Sequence, residues 1–342
     1  MRVLCAMSGG VDSSVAAALL LEQGHDVTGV TLRLWGGMSD SGCCAVSDTD
    51  DARRVAQQLG IDHFVFNFSD DFEEKVVTPY VTAHANAQTP NPCIECNRHL
   101  KFDRLLERAQ VLEFDALATG HHVRLVEHGG ERYLARGRDV AKDQSYVLYM
   151  LDQSQLSRCM FPVGERTKAE VRTLARELGL RTADKPESQD VCFITKADGR
   201  RAFLGERLEF TSGQVVDRDG NSLGEVPALQ MVTVGQRRGL DMGGHGARRF
   251  ALEIDIESAT VVVGEASERF VSTQTFTQPC AAHEAVQGDV LVQVSAHGRP
   301  LAAHIQGDLI VWDEPQPRVA PGQSVVFYSG DRVLGGALAL QF

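Results

Sequence analysis

Apolar and polar positions follow two different rhythms along the chain. Up to residue 202, short apolar runs that are typical of buried strands alternate with segments in which apolar residues recur at a helical period. The predicted strands are Arg2 to Met7, Asp26 to Leu34, Ile61 to Phe68 and Asp115 to Ala118, and the predicted helices are Val15 to Gln23, Asp50 to Leu59 and Thr167 to Leu178. Repeated strand–helix units predict an α/β fold with a parallel sheet covered by helices.

The rhythm changes after about Phe203. Runs rich in β-branched residues, such as Glu253 to Gly264 and Val325 to Tyr328, are separated by glycine-containing turns such as Gly330-Asp331. This texture is typical of small β modules, the second of them barrel-like. We therefore expect three domains, an α/β domain at 1–202, a small β-rich connector at 203–266 and a C-terminal β-barrel at 267–342.

Length and charge narrow the class of protein. At roughly 150 residues per domain, 342 residues correspond to two or three domains and are ample to bury a full core. The longest purely apolar run, Val15 to Leu21, is too short to span a bilayer, and no signal-peptide pattern begins the chain, so we expect a cytoplasmic protein with no membrane contact. The net charge of −12 does not by itself indicate a nucleic-acid partner, which would have to be bound through local basic residues.

A glycine- and serine-rich string, Ser8-Gly9-Gly10-Val11-Asp12-Ser13-Ser14, lies between the first predicted strand and the first predicted helix. A turn at this place directs backbone N–H groups and the positive end of a helix at an anion, and glycine lets the backbone approach a phosphate closely. The plain alternative is an ordinary strand–helix turn capped by serine. The string lacks the lysine with which a P-loop reaches a γ-phosphate. It resembles the PP-loop of ATP pyrophosphatases, which adenylate an oxygen and release pyrophosphate.

Five of the eight cysteines receive a plain interpretation. In a cytoplasmic chain of this size a disulfide framework is not expected. Cys5 lies in an apolar run and is predicted to be core, and Cys159 and Cys280, which belong to no motif, are interpreted in the same way. The adjacent Cys43 and Cys44 have no role that follows from the residues.

The other three cysteines lie in predicted loops. Cys93 and Cys96 precede a helix predicted near 97–108 with Asn97 as its N-cap, and Cys192 lies in a second loop. A helix N-terminus and the nearby Arg98, His99 and Lys101 favour the thiolate form of Cys96. A phosphate loop with two distant loop thiols indicates sulfur transfer, in which one thiol carries a persulfide and the other resolves it.

Metal binding is the alternative for the same thiols. Cys93-x-x-Cys96 is half of a zinc site, but a second pair at similar spacing is missing from the sequence. A 4Fe-4S cluster held by Cys93, Cys96 and Cys192 is the sharper rival, because three thiolates hold three irons and leave the fourth open.

Further strings extend the pattern along most of the chain. They are Thr89-Pro90-Asn91-Pro92 through Lys101-Phe102, Ala118-Thr119-Gly120-His121, Lys142-Asp143-Gln144-Ser145-Tyr146, Phe161-Pro162-Val163-Gly164, Cys192-Phe193-Ile194, Thr233 through Leu240 and Pro321-Gly322-Gln323. This ordered set resembles the bacterial MnmA-type family of tRNA-specific 2-thiouridylases, within the PP-loop ATP pyrophosphatases.

The resemblance implies ATP-dependent 2-thiolation of the wobble uridine of tRNA. ATP, with Mg²⁺, would adenylate the C2 oxygen, and pyrophosphate and then AMP would leave. A sulfur-relay protein would load Cys192 as a persulfide, and Cys96 would resolve it through a transient Cys96–Cys192 disulfide. Direct attack of the persulfide on C2 is the variant.

The resemblance also implies binding residues. The ATP-binding positions are Ala6, Met7, Ser8, Gly9, Gly10, Val11, Asp12, Ser13, Leu32 and Gly120. The tRNA-binding positions are Asn91, Pro92, Cys93, His121, Lys142, Asp143, Gln144 and Gln323, of which the first three would hold the target base.

Two positions depart from the family pattern. Many members have Asp where this chain has Cys93, and that carboxylate is a proposed acid or base, a task to which an ordinary thiol is poorly suited near neutral pH. The basic and aromatic patch that the last domain often carries is replaced by Ser295-Ala296-His297-Gly298-Arg299, which weakens that expected tRNA contact.

Basic residues gather on and around the helix predicted at Thr167 to Leu178. They are Arg166, Lys168, Arg172, Arg176 and Arg181, followed by Lys196, Arg200 and Arg201. A local tRNA footprint and a solvated helix face balanced by Glu170 and Glu177 are the two interpretations. Arg237-Arg238 and Arg248-Arg249 flank a glycine-rich loop at 243–246 that would order on RNA.

Two other functions stay open from the residues alone. One is a PP-loop ligase that acts on a small molecule, which leaves Cys96 and Cys192 unexplained. The other is an iron–sulfur or zinc RNA-binding protein without catalytic activity.

Overall fold

The structure is a computed structural model that describes residues 1–35, 46–186, 191–194, 199–242 and 248–341. Cys43, Cys44, Lys196 and the predicted loop at 243–246 lie outside these residues. The chain divides into two compact units. The first unit comprises Met1–Val77, Pro92–Gly199 and Asp331–Val333, and the second comprises Thr78–Asn91, Arg200–Gly330 and Leu334–Phe342.

The elements follow one another along the chain with short connections. The α-helices are α1 (Val11–Glu22), α2 (Val46–Leu59), α3 (Ser69–Phe72), α4 (Thr78–Ala85), α5 (Pro92–Glu95), α6 (Leu106–Val111), α7 (Gln153–Leu156), α8 (Lys168–Glu177) and α9 (Gly199–Gly205). Two π-helical stretches, Glu73–Val77 and Cys96–Leu105, and four 3₁₀ turns, Val140–Lys142, Ser145–Val147, Leu229–Met231 and Ser267–Arg269, complete the described helices.

The strands of the first half are β1 (Arg2–Ala6), β2 (Asp26–Arg33), β3 (His63–Asn67), β4 (Ala116–Thr119), β5 (Val123–His128), β6 (Glu131–Arg136) and β7 (Cys159–Met160). Those of the second half are β8 (Gly213–Val216), β9 (Ser222–Val226), β10 (Phe250–Asp255), β11 (Thr260–Gly264), β12 (Phe270–Ala281), β13 (Gly288–Gln293), β14 (Leu301–Gln306), β15 (Leu309–Pro317), β16 (Ser324–Ser329) and β17 (Arg332–Ala339).

A five-stranded parallel sheet in the order β3-β2-β1-β4-β7 forms the centre of the first unit. In β1, Cys5 lies opposite Gly29 of β2 and Ala118 of β4. Val3 and Leu4 are fully buried, as expected for a central parallel strand whose two faces are covered. The predicted α/β class and parallel sheet are confirmed.

Helix ends in the first unit follow local sequence signals, with one exception. α8 begins after Thr167, close to the predicted start, and the Thr167 side chain forms a capping box with Glu170. The predicted N-cap at Asn97 is wrong, because the helix begins at Pro92, where proline suits a first turn, and runs on through Asn97. The sequence analysis also missed the β5–β6 hairpin, whose turn, Gly129-Gly130, has two positive φ angles.

The second unit contains two β modules. A four-stranded sheet in the order β10-β11-β8-β9 packs around Val215, Val261 and Leu229. Six antiparallel strands, β12-β15-β14-β13-β16-β17, form a barrel that the β12–β17 pairing closes, with Val292 and Ile305 in its core. The predicted connector and barrel architecture is confirmed, whereas the exact domain boundaries stay a prediction. In the described parts of the chain, no helix is long and apolar enough to cross a membrane.

Candidate active site

A cavity of about 230 Å³ opens at the carboxyl ends of β1, β2 and β4 in the first unit. This is where open parallel sheets bind ligands, since the connections from the central strand diverge there. Its walls are formed by Ala6, Met7, Ser8, Gly10, Asp12, Ser13, Val30, Thr31, Leu32, Leu34, Lys101, Thr119, Gly120, His121 and Gln144. Eight of the ten predicted ATP-binding residues therefore meet around one space, and Gly9 and Val11 lie in the same loop beside it.

The loop between β1 and α1 is closed on itself by hydroxyl groups. The Ser13 hydroxyl donates to the carbonyl oxygen of Gly10 at 3.1 Å and accepts from the backbone N–H of Ser8 at 3.2 Å. The Ser14 hydroxyl donates to the same carbonyl at 2.8 Å. Because these bonds fix the loop without a ligand, the N-terminus of α1 is directed at the cavity in advance, which suits an anion.

Asp12, in the first turn of α1, is held by two basic side chains. Lys168 of α8 donates to both carboxylate oxygens at 2.7 and 2.9 Å, and Nε2 of His122 lies 3.0 Å from Oδ1. Burial opposes ionisation of Asp12, but the hydrogen bonds from His122 and Lys168 outweigh it and keep the pKa of the carboxyl below its usual value. Asp12 therefore ties α1 to α8.

Gly120 makes close contact between β4 and the loop possible. A side-chain carbon at this position would lie 2.5 Å from the backbone nitrogen of Ser13, so only glycine fits. The neighbouring His121 is buried, and its Nδ1 lies 2.7 Å from the Thr119 hydroxyl. Burial, with the nearby positive charge of Lys101, lowers the pKa of His121 well below its usual value. A neutral imidazole therefore faces the cavity.

Thr31 of β2 presents a hydroxyl whose hydrogen bonds are already assigned. It donates to the carbonyl oxygen of Met7 at 2.6 Å, so the contact of 2.9 Å with Nε2 of His63 requires the imidazole to donate. Burial and the charge of Arg53 lower the pKa of His63, which agrees with a neutral ring. The apolar end of the cavity, with Val30 and Leu32, is thereby braced by β3.

Cys96 lies inside a continuous helix rather than at its N-terminus. The helix starts as α5 at Pro92 and becomes π-helical at Cys96, which is 7% exposed. The predicted activation of Cys96 by a helix N-terminus is therefore wrong, and Cys93, in the first turn, is the exposed thiol closest to that end. Of the predicted basic neighbours, Arg98 and His99 both lie within 3.5 Å of the Glu95 carboxylate, in the same helix.

Among the cavity residues that were not predicted to belong to the site, Lys101 is the one with a charged side chain. It follows Cys96 by five positions, and a π-helix bonds each residue to the fifth one along, which places such residues on one side. An α-helix would put them on different sides. Lys101 and Phe102 belong to one of the motif strings. That the Lys101 side chain reaches the cavity depends on the local widening of the helix.

Cys192 is half-buried, and its segment contacts α3. The ring of the next residue, Phe193, packs 5.6 Å from Phe72 of α3. Arg104, in the helix that begins with Cys96, lies 3.3 Å from Asp71 of α3. The segment with Cys192 and the helix with Cys96 therefore both contact α3.

Neither metal alternative gains a ligand set from the structure. Among the residues that the structure describes, no group of three or more His, Cys, Asp or Glu side chains is arranged to hold a metal ion. The described residues include Cys93, Cys96 and Cys192, the thiols that would hold a cluster. The core interpretation is confirmed for Cys5 and Cys159, which are buried, and burial raises the pKa of each thiol to about 12. It is wrong for Cys280, which is only half-buried.

The predicted tRNA-binding residues of the first unit fall into two groups. His121 and Gln144 line the cavity itself, and Pro92 is buried at the start of the Cys96 helix. Lys142 is half-buried at the end of a 3₁₀ turn. The neighbouring Asp143 is engaged within the protein, as its oxygens accept hydrogen bonds from four groups.

Those four donors hold the loop around Asp143 in shape. They are the Arg136 guanidinium, the backbone N–H groups of Gly137 and Ser145, and the Ser145 hydroxyl. A carboxylate has about four lone-pair positions, so the side chain of Asp143 is saturated. Asp143 therefore fixes the backbone of the loop on which Lys142 and Gln144 stand.

The remaining two predicted tRNA-binding residues lie in the second unit. The Gln323 amide donates to the carbonyl oxygen of Val294 within the barrel at 2.6 Å. The barrel loop before it contacts the segment that leads to Asn91, since Thr89 donates to the carbonyl oxygen of Pro321 at 2.7 Å. Asn91 and Gln323 therefore belong to connected parts of this unit.

Four of the eight basic residues in the cluster predicted around α8 are engaged within the first unit. Besides Lys168 on Asp12, the Arg172 guanidinium donates to the carbonyl oxygens of Ala183 and Lys185, Arg176 pairs with Asp184, and Arg181 pairs with Asp51. These contacts favour the structural interpretation of the cluster over a tRNA footprint.

Lys185 contacts both the phosphate loop and α2. Its ammonium group donates to the carbonyl oxygen of Gly9 at 3.0 Å and to the carboxylates of Asp48 and Asp51 in α2. Burial would lower the pKa of Lys185, but the two carboxylates outweigh that effect and raise it. A cation is therefore fixed beside the loop, and no local pattern in the sequence indicates this contact.

Known proteins match the chain along its whole length. The family models that match are a tRNA methyl transferase HUP domain at residues 1–196, a tRNA methyl transferase PRC-barrel domain at 201–265 and an aminomethyltransferase beta-barrel domain at 272–339. The tRNA-specific 2-thiouridylase MnmA of Chloroflexus aurantiacus is 46% identical and covers 98% of this chain and 97% of its own. The protein of the same name from Carboxydothermus hydrogenoformans is 44% identical and covers 98% and 96%. A solved structure, the U34-tRNA thiolase NcsA of Methanococcus maripaludis with its 4Fe-4S cluster, aligns with a TM-score of 0.38 at 19% identity over 60% of this chain and 63% of that one.

Proposed function

This chain belongs to the tRNA-specific 2-thiouridylase family, and we propose that it uses ATP to replace the C2 oxygen of the wobble uridine of tRNA by sulfur. Relatives with that name match it over 98% of its length at 44 and 46% identity. The chain is thus a tRNA sulfurtransferase. The observation that carries the proposed chemistry is the cavity, whose wall combines the Ser8 to Ser13 loop with Lys101 from the helix of Cys96.

The description of the matching family model refers to methyl transfer, whereas the relatives are named for thiolation. A methyl transfer has no use for a loop that suits pyrophosphate. The closed loop at the N-terminus of α1 therefore favours a reaction that begins with adenylation.

In the first step, ATP activates the uridine. The apolar end of the cavity, with Val30, Leu32 and Leu34, suits adenine, and the Ser8 to Ser13 loop suits the leaving pyrophosphate. The C2 oxygen attacks the α-phosphorus, a bond between them forms, and the bond from the α-phosphorus to the pyrophosphate oxygen breaks. Lys101 stabilises the charge on the α-phosphate. Mg²⁺ would be held mainly by the ATP phosphates, whose charge it would offset, because Asp12, the carboxylate in the described cavity wall, is already paired with Lys168.

In the second step, sulfur replaces the activated oxygen. Cys192 carries a persulfide, which a sulfur-relay protein supplies. The thiolate of Cys96 attacks Sγ of Cys192, the bond to the outer sulfur breaks, and hydrosulfide leaves. Hydrosulfide adds to C2, and AMP departs with the former C2 oxygen. The product is 2-thiouridine, and a thiol reductant must supply two electrons to reopen the Cys96–Cys192 disulfide.

In the variant of this step, the outer persulfide sulfur adds directly to C2, and Cys96 then cleaves the bond to Cys192. Both routes end in the same disulfide. They differ in whether hydrosulfide is released, which a trap for sulfide in the reaction mixture would detect.

The uridine-binding end of the proposed site includes Pro92 and Cys93 at the start of the Cys96 helix, with Asn91 just before it. His121, which is kept neutral by burial, donates or accepts one hydrogen bond without bringing charge to the base. Lys142 and Gln144 contact the surrounding tRNA, and Gln323, in the second unit, is a separate tRNA-binding residue.

The decisive experiment follows the oxygen atom. The purified protein is incubated with ATP, Mg²⁺, a persulfide donor, a thiol reductant and tRNA whose wobble uridine carries oxygen-18 at C2. We expect 2-thiouridine in the digested nucleosides and oxygen-18 in AMP, as read by mass spectrometry. Thiolation without label in AMP would refute adenylation of C2, and a tRNA with cytidine at the wobble position serves as the control.

A further inference from the structure

Five arginines of the second unit lie near one another without an acidic partner, and we call them the arginine surface. They are Arg237, Arg238, Arg248, Arg249 and Arg269. The first three are exposed, and Arg249 and Arg269 are half-buried. Within the part of the chain that the structure describes, none of the five guanidinium groups forms an ion pair with a carboxylate. The reaction proposed above gives these residues no role.

The turn at 235–239, which carries two of the arginines, has a fixed backbone. The side-chain oxygen of Gln236 accepts a hydrogen bond from the backbone N–H of Thr233 at 3.0 Å, and its amide donates to the carbonyl oxygen of Arg238 at 2.7 Å. The turn begins and ends on glycines with φ angles of +88° and +73°, which favour this residue. Both arginines therefore extend from an ordered backbone, and binding through them costs less conformational entropy.

Backbone hydrogen bonds bring this turn beside the start of β10. The turn exchanges two of them with Ala251, at 2.8 and 2.9 Å. Arg249 and Phe250 directly precede Ala251 in the chain. The ring of Phe250 is in turn covered by Arg269, whose guanidinium carbon lies 4.1 Å from the ring centroid. Three separate stretches of sequence therefore contribute arginines to one region of the second unit.

Acidic side chains near the arginine surface are engaged by other arginines. Oε1 of Glu268 lies 2.8 Å from Nε of Arg218, and its Oε2 accepts a hydrogen bond from the backbone N–H of Glu265 at 2.7 Å. Burial and the charge of Arg218 lower the pKa of Arg318, and the carboxylates of Glu253 and Glu268 act in the opposite direction. These two carboxylates therefore offset Arg218 and Arg318.

The carboxylate of Asp217 is engaged by its own turn. It accepts hydrogen bonds from the backbone N–H groups of Asp219 and Asn221 at 3.0 and 2.9 Å, and from the Asn221 amide at 3.1 Å. The hydrogen bonds from Asn221, the one from Asp219 and the charge of Arg249 lower the pKa of Asp217. Among these neighbours, Arg249 contributes its charge alone. The arginine surface therefore keeps an excess of positive charge.

We propose that the arginine surface binds the phosphate backbone of tRNA, in addition to the residues assigned to the target uridine. This inference rests on the proposed function. A guanidinium group presents paired N–H donors that match a phosphate, and stacking of Arg269 on Phe250 holds one such group in place. In a chain with a net charge of −12, a polyanion requires such a local excess of positive charge.

RNA suits this surface better than an acidic protein for two reasons. Its backbone carries one negative charge at every nucleotide, so it engages several arginines at once. The ring of Phe270, which is 45% exposed, also lies beside Arg269, with 5.6 Å between the guanidinium carbon and the ring centroid. An exposed aromatic ring next to bound phosphates stacks on an unpaired base, which a protein partner does not offer.

The test measures tRNA binding by the full-length protein across a salt series, using filter binding. The double variant Arg237→Gln with Arg238→Gln removes two charges from the turn. We expect its affinity for tRNA to fall about ten-fold at low salt, and the slope of log affinity against log salt concentration to fall by about two, since each lost phosphate contact releases fewer counterions. ATP affinity should not change, because neither residue belongs to the cavity wall.

Two further variants show whether the charge of these arginines is responsible. Arg237→Lys with Arg238→Lys keeps both charges and should keep the wild-type slope. Arg218→Gln is the matched control, because the Arg218 charge is already offset by Glu268, and it should leave the slope unchanged. The same loss of slope in the lysine variant, or in Arg218→Gln, would overturn the proposal, since it would indicate a role in the fold or an effect of net charge alone.

Thiolation assays in the same samples separate this proposal from the proposed function. If the wild type binds tRNA but does not thiolate it with ATP and a low-molecular-weight persulfide, the proposed function fails. If the wild type thiolates tRNA and the glutamine variant binds tRNA equally well at every salt concentration, the arginine surface is refuted as a tRNA site. If that variant instead loses only the transfer of sulfur from a donor protein, the surface binds an acidic protein, and the assignment to RNA is overturned.

Discussion

Side chains around the cavity owe their roles to what they already contact. Asp12 and Asp143 both carry carboxylates in motif strings, yet Asp12 lies in the cavity wall and Asp143 is saturated by four donors within its own loop. The contiguous string from Ser8 to Ser14 could be predicted as a site because its residues are neighbours in sequence. Lys101 and Lys185 could not, since their positions depend on a widened helix and on a contact across the unit.

The two thiols provide the first test at this scale. Cys96→Ser and Cys192→Ser should each abolish thiolation, because a hydroxyl neither carries sulfane sulfur nor resolves a persulfide. Both should still bind ATP, since the cavity wall contains neither residue. The measurement is nucleoside mass spectrometry beside calorimetry with ATP. Full turnover of Cys96→Ser in the presence of a thiol reductant would show that another group resolves the persulfide.

Lys101 provides the second test at the scale of single residues. Removing its charge in Lys101→Met should weaken ATP binding about ten-fold, which is about 1.4 kcal/mol, and leave adenosine binding unchanged, because the ammonium group acts on phosphate. Calorimetry with the two ligands measures both effects. Arg104→Met is the matched control on the same helix, since Arg104 pairs with Asp71 and Glu107 at the surface. A similar loss for ATP and adenosine would instead indicate that Lys101 supports the fold of the cavity.

At the scale of the elements, two helices are joined by one partly buried charge pair. Lys168, 8% exposed, joins the first turn of α8 to the first turn of α1 through Asp12. Both helices were predicted from the sequence, because each rests on local signals, and the structure adds the capping box of α8. The pair itself, 156 residues apart, left no local signal. The start of the Cys96 helix was mispredicted because Asn97, a good cap by type, is buried and donates to the carbonyl oxygen of Val147 instead.

The ion pair of Asp12 with Lys168 should make the stability of the protein depend on pH. Asp12→Asn leaves Lys168 without its counter-charge and should lower the free energy of unfolding by about 3 kcal/mol at neutral pH, as measured by urea denaturation without nucleotide. The pKa of Asp12 is lowered in the folded state, so its contribution is present above the ordinary carboxyl pKa and is lost as the pH falls through the lowered value. The difference between wild type and variant should therefore shrink below about pH 4.

A surface pair is the control for this measurement. Asp50 and Arg53 are largely exposed, and Asp50→Asn should change the free energy of unfolding by less than about 1 kcal/mol at any pH. A difference between wild type and Asp12→Asn that stays constant down to acid pH would show that the effect comes from packing rather than from charge.

At the scale of the whole molecule, an acidic protein must bind a polyanion. The net charge is −12, and the basic residues around α8 are paired within the first unit. Composition could predict this difficulty, and the order of motifs could predict the fold and the family, but only the structure showed that those basic residues are already engaged. Binding of tRNA then depends on a few local contacts, for which Lys142 is the predicted anchor.

Salt dependence tests this expectation. Lys142→Ala should reduce the slope of log affinity for tRNA against log salt concentration by about one, since each phosphate contact releases condensed counterions. ATP affinity should not change, as Lys142 is outside the cavity wall. Filter binding across a salt series measures the slope, with Arg176→Ala, whose guanidinium pairs with Asp184, as the control. An unchanged slope and affinity for Lys142→Ala would remove this residue from the tRNA interface.

Each of the two units is built from separate stretches of the chain, and this affects the order in which they can fold during translation. The first unit includes Asp331–Val333, where Arg332 pairs with Ala135 and Asp331 lies 2.8 Å from Arg124. The second unit includes Thr78–Asn91, which the ribosome delivers more than a hundred residues before the rest of that unit. During translation the parallel sheet can assemble early. The hairpin of β5 and β6 can pair with β17 only when nearly the whole chain has been synthesised. A nascent chain stalled at residue 202 therefore exposes one edge of that hairpin and an orphan helix, α4, to chaperones and to other nascent chains.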